Sequence, residues 1–293
     1  MALPGEDTVV TFPVGDLTAT ATVLHVAPHD GALAVFTDRT SIHPVDHAWP
    51  DQPADAGVLR VDGRELAVHD AVVAATDGES LHIGDVPVRP GTDGWSFLVA
   101  HLVDADAPVT EGTEVQFEAD AALRRSLSRG HTACHAASLA LNRALADRWS
   151  KSAREDALGA PDFDGIAIAT SRIEPDGSVD RYRLNKSLRR AGFDATGLAE
   201  HLDELAASVD ATLADWVAAD ARVRIERVGE HLTDRRTWIC ELPGGSARIP
   251  CGGTHADSLG ELGGIRVAFD LGEDGGTPVL MMTTRVEAGS AAS

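Results

Sequence analysis

Cys251 and His255 stand four positions apart in "RIPCGGTHADSLGEL", residues 248–262, with two glycines and a threonine between them. A thiolate and an imidazole on one loop are ligands for a soft-to-borderline metal ion. A second pair, His131 and His135, lies in "GHTACHAASLAL". In a helix those two imidazoles project from one face, one turn apart, as i, i+4 histidines do in zinc helices. Together the four offer three nitrogens and one sulfur, a set that suits Zn²⁺. Either pair alone is as easily two ordinary side chains. Their coincidence, about 120 residues apart and each with glycine beside it, is what points to a metal site. Cys134 points elsewhere on the same helix and reads as a small buried residue. Cys240, in the apolar run "TWICEL", reads as core.

A helix and a loop must be held together by the rest of the chain, and the pattern suggests how. Residues 8–115 read mostly as short strands: "TVVTF", "ATATVLHVA", "GALAVFT", "AGVLRVDG", "LAVHDAVVAA" and "ESLHIGDVPV", punctuated by Gly, Asp and Pro. Spacing this regular predicts a small antiparallel barrel or sandwich, taken as an N-terminal β-barrel domain over 1–118. From about 119 the pattern turns helical. Gly130 is read as an interruption, giving a short helix, a turn, and a longer helix over about 131–149. A third helix is predicted in "GLAEHLDELAASVDATLADWVAAD". Strands are predicted in "GIAIATSRIE", "ARVRIERV", "TWICEL", "GIRVAFDL" and "VLMMTTRVE", with hairpin turns at "EPDGS" and "GEDGG". Residues 119–293 thus read as α+β, with helices packed on an antiparallel sheet. The final "AGSAAS" reads as a frayed tail.

The chain's 293 residues carry 46 acidic and 25 basic side chains, a net charge of −21. Such acidity repels nucleic acid at long range, so a polyanionic partner has to meet a local basic patch. Three such clusters stand out: Arg124, Arg125 and Arg129 ahead of the HxxxH pair; Lys186, Arg189 and Arg190; and Arg235 and Arg236, with Arg248 before the CxxxH loop. The first is the favoured candidate, although any one of them could be a solvated face. Three cysteines are too few for a disulfide framework and fit a reducing cytoplasm. The start of the chain lacks the pattern of a secretory signal, and no uncharged apolar run reaches the ~18 residues of a membrane span. Neither a P-loop nor a strand-linked G-x-G-x-x-G is present.

"HTACH" before an Ala/Leu-rich helix, then "CGGTH" before "GELGGIRV", resembles the editing domain of alanyl-tRNA synthetases and the stand-alone alanyl-tRNA editing proteins. In "TSIHPVDHAWPDQPADAGVL", Pro44, Gln52, Asp55 and Gly57 align with that family's barrel motif, whereas Pro50 and Asp51 replace a glycine pair. The resemblance spans about residues 8–290.

It implies hydrolysis of the ester between an amino acid and the terminal ribose of a mischarged tRNA, acting in trans, with Zn²⁺ as cofactor. His131, His135 and Cys251 are the firmer ligands; His255 is either a ligand or a proton-transfer group. Thr132 and Thr254 could hydrogen-bond a substrate hydroxyl, or cap the helix and the loop. Gln52, Gly252 and Gly253 would face the substrate, with Arg124, Arg125 and Arg129 on the RNA. Asp257 and Glu261 could orient the histidines, or be solvated loop carboxylates. Seryl-tRNA for alanine is the first substrate expected, a threonyl or modified threonyl ester the next. Two other readings stay open: a zinc hydrolase of a free small-molecule ester or amide, and a non-catalytic, zinc-stabilised tRNA-binding module.

Overall fold

The computed structural model describes residues 3–287, so the tail read at 288–293 lies outside the described residues. The chain divides into two compact units. The first gathers the chain up to Arg125 with Ile225–Thr237 and Cys251–Thr254. The second gathers Ser126–Arg224, Trp238–Pro250 and the chain from His255 on.

The first unit contains β1 (Val9–Val10), β2 (Thr18–His29), β3 (Ala32–Thr37), β4 (Arg39–Thr40), β5 (Gly57–Val61), β6 (Arg64–Val68), β7 (Asp70–Thr76), β8 (Leu81–Ile83), β9 (Ser96–Asp104) and β10 (Glu114–Ala119). β1 and β4 pair in parallel. The other eight form one antiparallel sheet in the order β6-β5-β10-β2-β3-β9-β7-β8. The expected closed barrel is not formed: β6 and β8 are edges, and among the described residues no ladder joins them. The sheet curls instead. β2 is twelve residues long and carries a register irregularity between Val23 and His25, where a bulge raises the local twist. Strands on both sides of it send Val23, Val35, Leu59, Val61, Val99 and Phe117 into one core.

α1 (Ala121–Ala144) runs without a break, so the turn expected at Gly130 is absent. A glycine inside a helix costs about 1 kcal/mol relative to alanine. Here it serves close packing: a Cβ at Gly130 would lie 2.6 Å from the carbonyl oxygen and 2.8 Å from the nitrogen of Gly177. That residue opens the second strand of a hairpin, and α1 sits directly on its turn.

The chain continues with α2 (Phe163–Ala167), β11 (Ile168–Glu174), β12 (Gly177–Arg183), α3 (Lys186–Ala191), α4 (Leu202–Ala218), β13 (Val223–Arg227), β14 (Arg236–Leu242), β15 (Gly245–Pro250), β16 (Gly264–Asp274) and β17 (Thr277–Glu287). Four strands form an antiparallel sheet in the order β11-β12-β17-β16. Its hairpin turns fall at the two predicted sites, with Asp176 and the Gly275–Gly276 pair at positive φ. Asp180, Met282 and Phe269 form one buried row across it. α1 meets that face through Cys134, whose Sγ lies 3.6 and 3.7 Å from the Asp180 carboxylate oxygens. Burial pushes the Asp180 carboxyl up to about 6. α4 covers the other end, where Asp210 accepts the Val267 N–H at 2.9 Å. The expected arrangement of helices on an antiparallel sheet is therefore present. Cys240, like Cys134, is buried. β13, β14 and β15 form a separate three-stranded sheet, and the CxxxH loop follows β15. No helix among the described residues is long and apolar enough to cross a membrane.

Candidate metal centre

α1 places His131 and His135 on one face, with ring centroids 4.8 Å apart. His255 joins them, its ring 4.3 Å from that of His131 and 5.2 Å from that of His135. Cys251 precedes His255 by four residues on the loop, and one donor atom from each of the four lies within 4.8 Å of the others. Three imidazoles and a thiol so arranged could hold a metal ion.

The fit to a metal rests on more than proximity. The His135 Nε2 is buried and has no hydrogen-bond partner among the described residues. Leaving such an atom unsatisfied costs about 1–3 kcal/mol, a cost that coordination removes. Burial lowers the His135 pKa to about 4, so the ring is neutral and its lone pair is available. Burial pushes the Cys251 thiol up to about 12. A cation beside it is what makes a thiolate accessible near neutral pH.

The supports are specific. Thr132 is fully buried, and its hydroxyl accepts the Ala256 N–H at 3.0 Å while lying 3.3 Å from His255 Nδ1. It ties the end of the loop to α1 and orients the His255 ring. Gln52, also buried, grips Thr254 twice: its side-chain oxygen accepts the Thr254 N–H at 3.1 Å, and its amide nitrogen donates to the Thr254 hydroxyl at 3.0 Å. The Cys251 N–H donates to the Arg236 carbonyl at 3.1 Å. Gly252 is exposed and Gly253 buried; a Cβ at Gly252 would come no nearer than 4.0 Å to Arg236 Nη2, so neighbouring atoms leave room there. Asp257 and Glu261 are exposed. Glu261 accepts from Arg129 through its backbone oxygen, at 2.8 Å.

The first basic cluster is not the free cationic surface it resembled. Arg124 is 5% exposed, and its guanidinium grips the Asp55 carboxylate in a two-pronged ion pair while donating to the Ser41 carbonyl at 2.7 Å. Asp55 also accepts the His43 N–H at 2.6 Å. Arg129 is held by Asp176 at 2.6 Å. Arg125 alone of the three is exposed. Arg124 falls on the covered side of α1 and Arg125 just outside it.

Trp238 was not singled out from the sequence as part of the site. It is fully buried, and its ring lies 5.0 Å from His135 and 6.1 Å from His255. It walls off the histidines, and nothing in "TWICEL" distinguished it from ordinary core. Asp51 shifts upward, to about 6, chiefly through burial.

No protein-family model matches the chain. It is 28% identical over 240 residues to an alanine–tRNA ligase of Methanopyrus kandleri, covering 81% of this chain and 22% of that protein. With an alanine–tRNA ligase of Nocardioides it shares 28% over 273 residues, 89% of this chain and 24% of the other. A chloroplastic/mitochondrial alanine–tRNA ligase of Oryza sativa is 25% identical over 262 residues, 89% of this chain and 23% of the other. The chain thus spans about a quarter of the length of these relatives. It is similar to that segment of the alanine–tRNA ligases.

Proposed function

We propose that this chain is a zinc-dependent aminoacyl-tRNA deacylase, hydrolysing the ester that links a small hydroxy amino acid to tRNA charged elsewhere. The observation that carries this reading is the gathering of donor atoms from "HTACH" and "CGGTH" within 4.8 Å. The similarity to alanine–tRNA ligases supports a tRNA substrate. Seryl-tRNA for alanine is the first candidate substrate and a threonyl or modified threonyl ester the second. The proposed division of labour has residues 119–293 carrying the chemistry and 1–118 helping to present the acceptor end, in a cytoplasmic setting.

His131, His135 and Cys251 would hold the ion, with His255 as fourth donor or as the group that moves a proton. The chemistry zinc supplies in such a site is polarisation of an ester carbonyl and a lowered pKa for water. Thr132 keeps His255 in one orientation, so a proton accepted there sits at a defined place. Trp238 keeps bulk water away from the His135 side. The Gln52–Thr254 clamp holds the loop so that Gly252 meets the scissile group with backbone rather than a side chain. In this reading Gln52 acts through the loop. Arg124 has no part in RNA binding.

The net charge of −21 favours one competitor, a hydrolase of free small-molecule esters. A panel separates them: seryl, glycyl and alanyl esters of alanine tRNA, threonyl ester of threonine tRNA, and the same amino acids as simple alkyl esters. Wild type is compared with a His131→Ala, Cys251→Ala variant. Release from one tRNA ester by wild type alone supports the deacylase and names its substrate. Turnover of alkyl esters with no dependence on tRNA favours the competitor. Zinc binding with no turnover leaves a binding module.

A further inference from the structure

Arg124 and Arg129 are engaged by Asp55 and Asp176, and the second unit offers another place for charge that could face RNA. α3 is six residues long and carries Lys186, Arg189 and Arg190 at i, i+3 and i+4, a spacing that puts all three on one side. All three are exposed, while Leu188 anchors the opposite side in the core. The segment after α1 adds two cations. The Lys151 Nζ donates to the Arg190 carbonyl at 3.1 Å, and Arg148 donates to the carbonyls of Asp194 and Thr196 at 3.3 and 3.0 Å. The chain has only two lysines, and both stand here. Among the described residues none of these five side chains forms an ion pair. Asp194, the acid on the loop after α3, has its carboxylate turned to the Thr196 N–H at 2.9 Å. Five cations around one short helix, of which only Arg148 feels a nearby carboxylate, that of Asp194, are conspicuous in a chain where acids outnumber bases 46 to 25.

We propose that the α3 surface, built from Arg148, Lys151, Lys186, Arg189 and Arg190, docks the phosphate backbone of the tRNA acceptor arm. This rests on the deacylase reading for the identity of the RNA. Scale supports it. The β-like bridge of Trp149 with Phe193 and the Ser150–Gly192 hydrogen bond of 2.9 Å fix α3 beyond the C-terminal end of α1. From His135 to Ala144 the helix advances roughly 14 Å at 1.5 Å per residue. The patch therefore lies a few nucleotides from the histidines, where the backbone leading to a reacting 3′ end would pass. Its cations can release counterions from phosphates in a way that a diffuse acidic surface cannot.

The test is binding of uncharged alanine tRNA, followed by fluorescence anisotropy over a series of salt concentrations. The patch variant is Lys186→Gln, Arg189→Gln, Arg190→Gln. The control removes the same charge elsewhere, at exposed Arg64→Gln, Arg89→Gln and Arg222→Gln. Melting curves check that each is folded, and the three single patch variants stand in if the triple is not. The patch triple should weaken binding on the order of tenfold and reduce the salt slope by about 2 to 3, each single by about 1. The control should move neither. Equal effects from both triples, or no effect from the patch triple, overturn the assignment. Salt-dependent binding by a wild type that hydrolyses no ester would defeat the deacylase reading while leaving this surface standing.

Discussion

Two polar side chains on the same helix have opposite fates. Arg124, near the start of α1, has its guanidinium taken up by Asp55 and the Ser41 carbonyl. His135, three turns on, has a buried Nε2 with no hydrogen-bond partner among the described residues. His101 in β9 repeats the first pattern: its Nδ1–H donates to the Val35 carbonyl at 3.0 Å and its Nε2 accepts from Thr40 at 2.8 Å. His43 Nδ1, His47 Nδ1 and Arg236 Nε are also buried without a hydrogen-bond partner among the described residues; what sets the His135 nitrogen apart is its place beside two more histidines and a thiol, where a ligand could take it up.

The contrast breaks most readily at Arg124. Arg124→Ala strands Asp55 as an unpaired buried carboxylate and should cost about 3–5 kcal/mol in urea unfolding, with or without metal. Arg125→Ala, one residue on and exposed, should stay within about 0.5 kcal/mol. Equal costs at the two positions would dissolve the distinction.

Metal should act only at the other end of the helix. Zinc at about a thousand times its Kd should raise the stability of the wild type by about 4 kcal/mol, and a chelator should remove that gain. In His135→Ala the gain should vanish while the metal-free melting point stays close to that of the wild type. A metal-free loss as large as that of Arg124→Ala would mean that His135 is structural.

Acid sharpens the comparison from a third side. Burial depresses the His101 pKa from 6.5 to about 4. The unfolded chain therefore binds the proton more readily between those values, and stability falls as pH drops from 6.5 towards 4. His101 alone contributes up to about 3 kcal/mol to that loss. A His101→Gln variant should show a shallower decline over that window by urea midpoints, although it is less stable at pH 7. An unchanged slope would mean that the ring is not held neutral by its burial.

The smallest effect is expected at Gly130. On helix propensity alone Gly130→Ala gains about 1 kcal/mol, but the Gly177 backbone 2.6 Å from the new Cβ reverses the sign. A net loss of about 1–3 kcal/mol by thermal melting is expected. A net gain would show that the hairpin turn gives way easily.

These positions also show what the sequence could carry. The i, i+4 histidines and the CxxxH loop were legible because metal ligation demands particular residue types at particular spacings. Hairpins at "EPDGS" and "GEDGG" were legible for a similar reason, since positive φ narrows the choice of residue. Gly130 misled because Gly177, the start of the hairpin strand that needs its missing Cβ, stands 47 residues later. β9 was missed because six of its nine residues are buried in succession, which leaves no alternation to read. The barrel motif around Gln52 pointed towards a substrate. The side chain's visible work is on Thr254, 202 positions away. Arg124 looked like its neighbours because charge runs do not disclose which side of a helix will be covered.

The most direct test pairs metal content with hydrolysis on the same preparations. Zinc per chain and the rate of release from seryl-tRNA for alanine are measured for wild type, His135→Ala and chelated wild type, and again after zinc is restored. Release that rises and falls with bound zinc, and that His135→Ala cannot recover, is the expected result. Undiminished release from the zinc-free protein would contradict the metal centre, and fully zinc-loaded protein that leaves every aminoacyl-tRNA ester intact would contradict the deacylase.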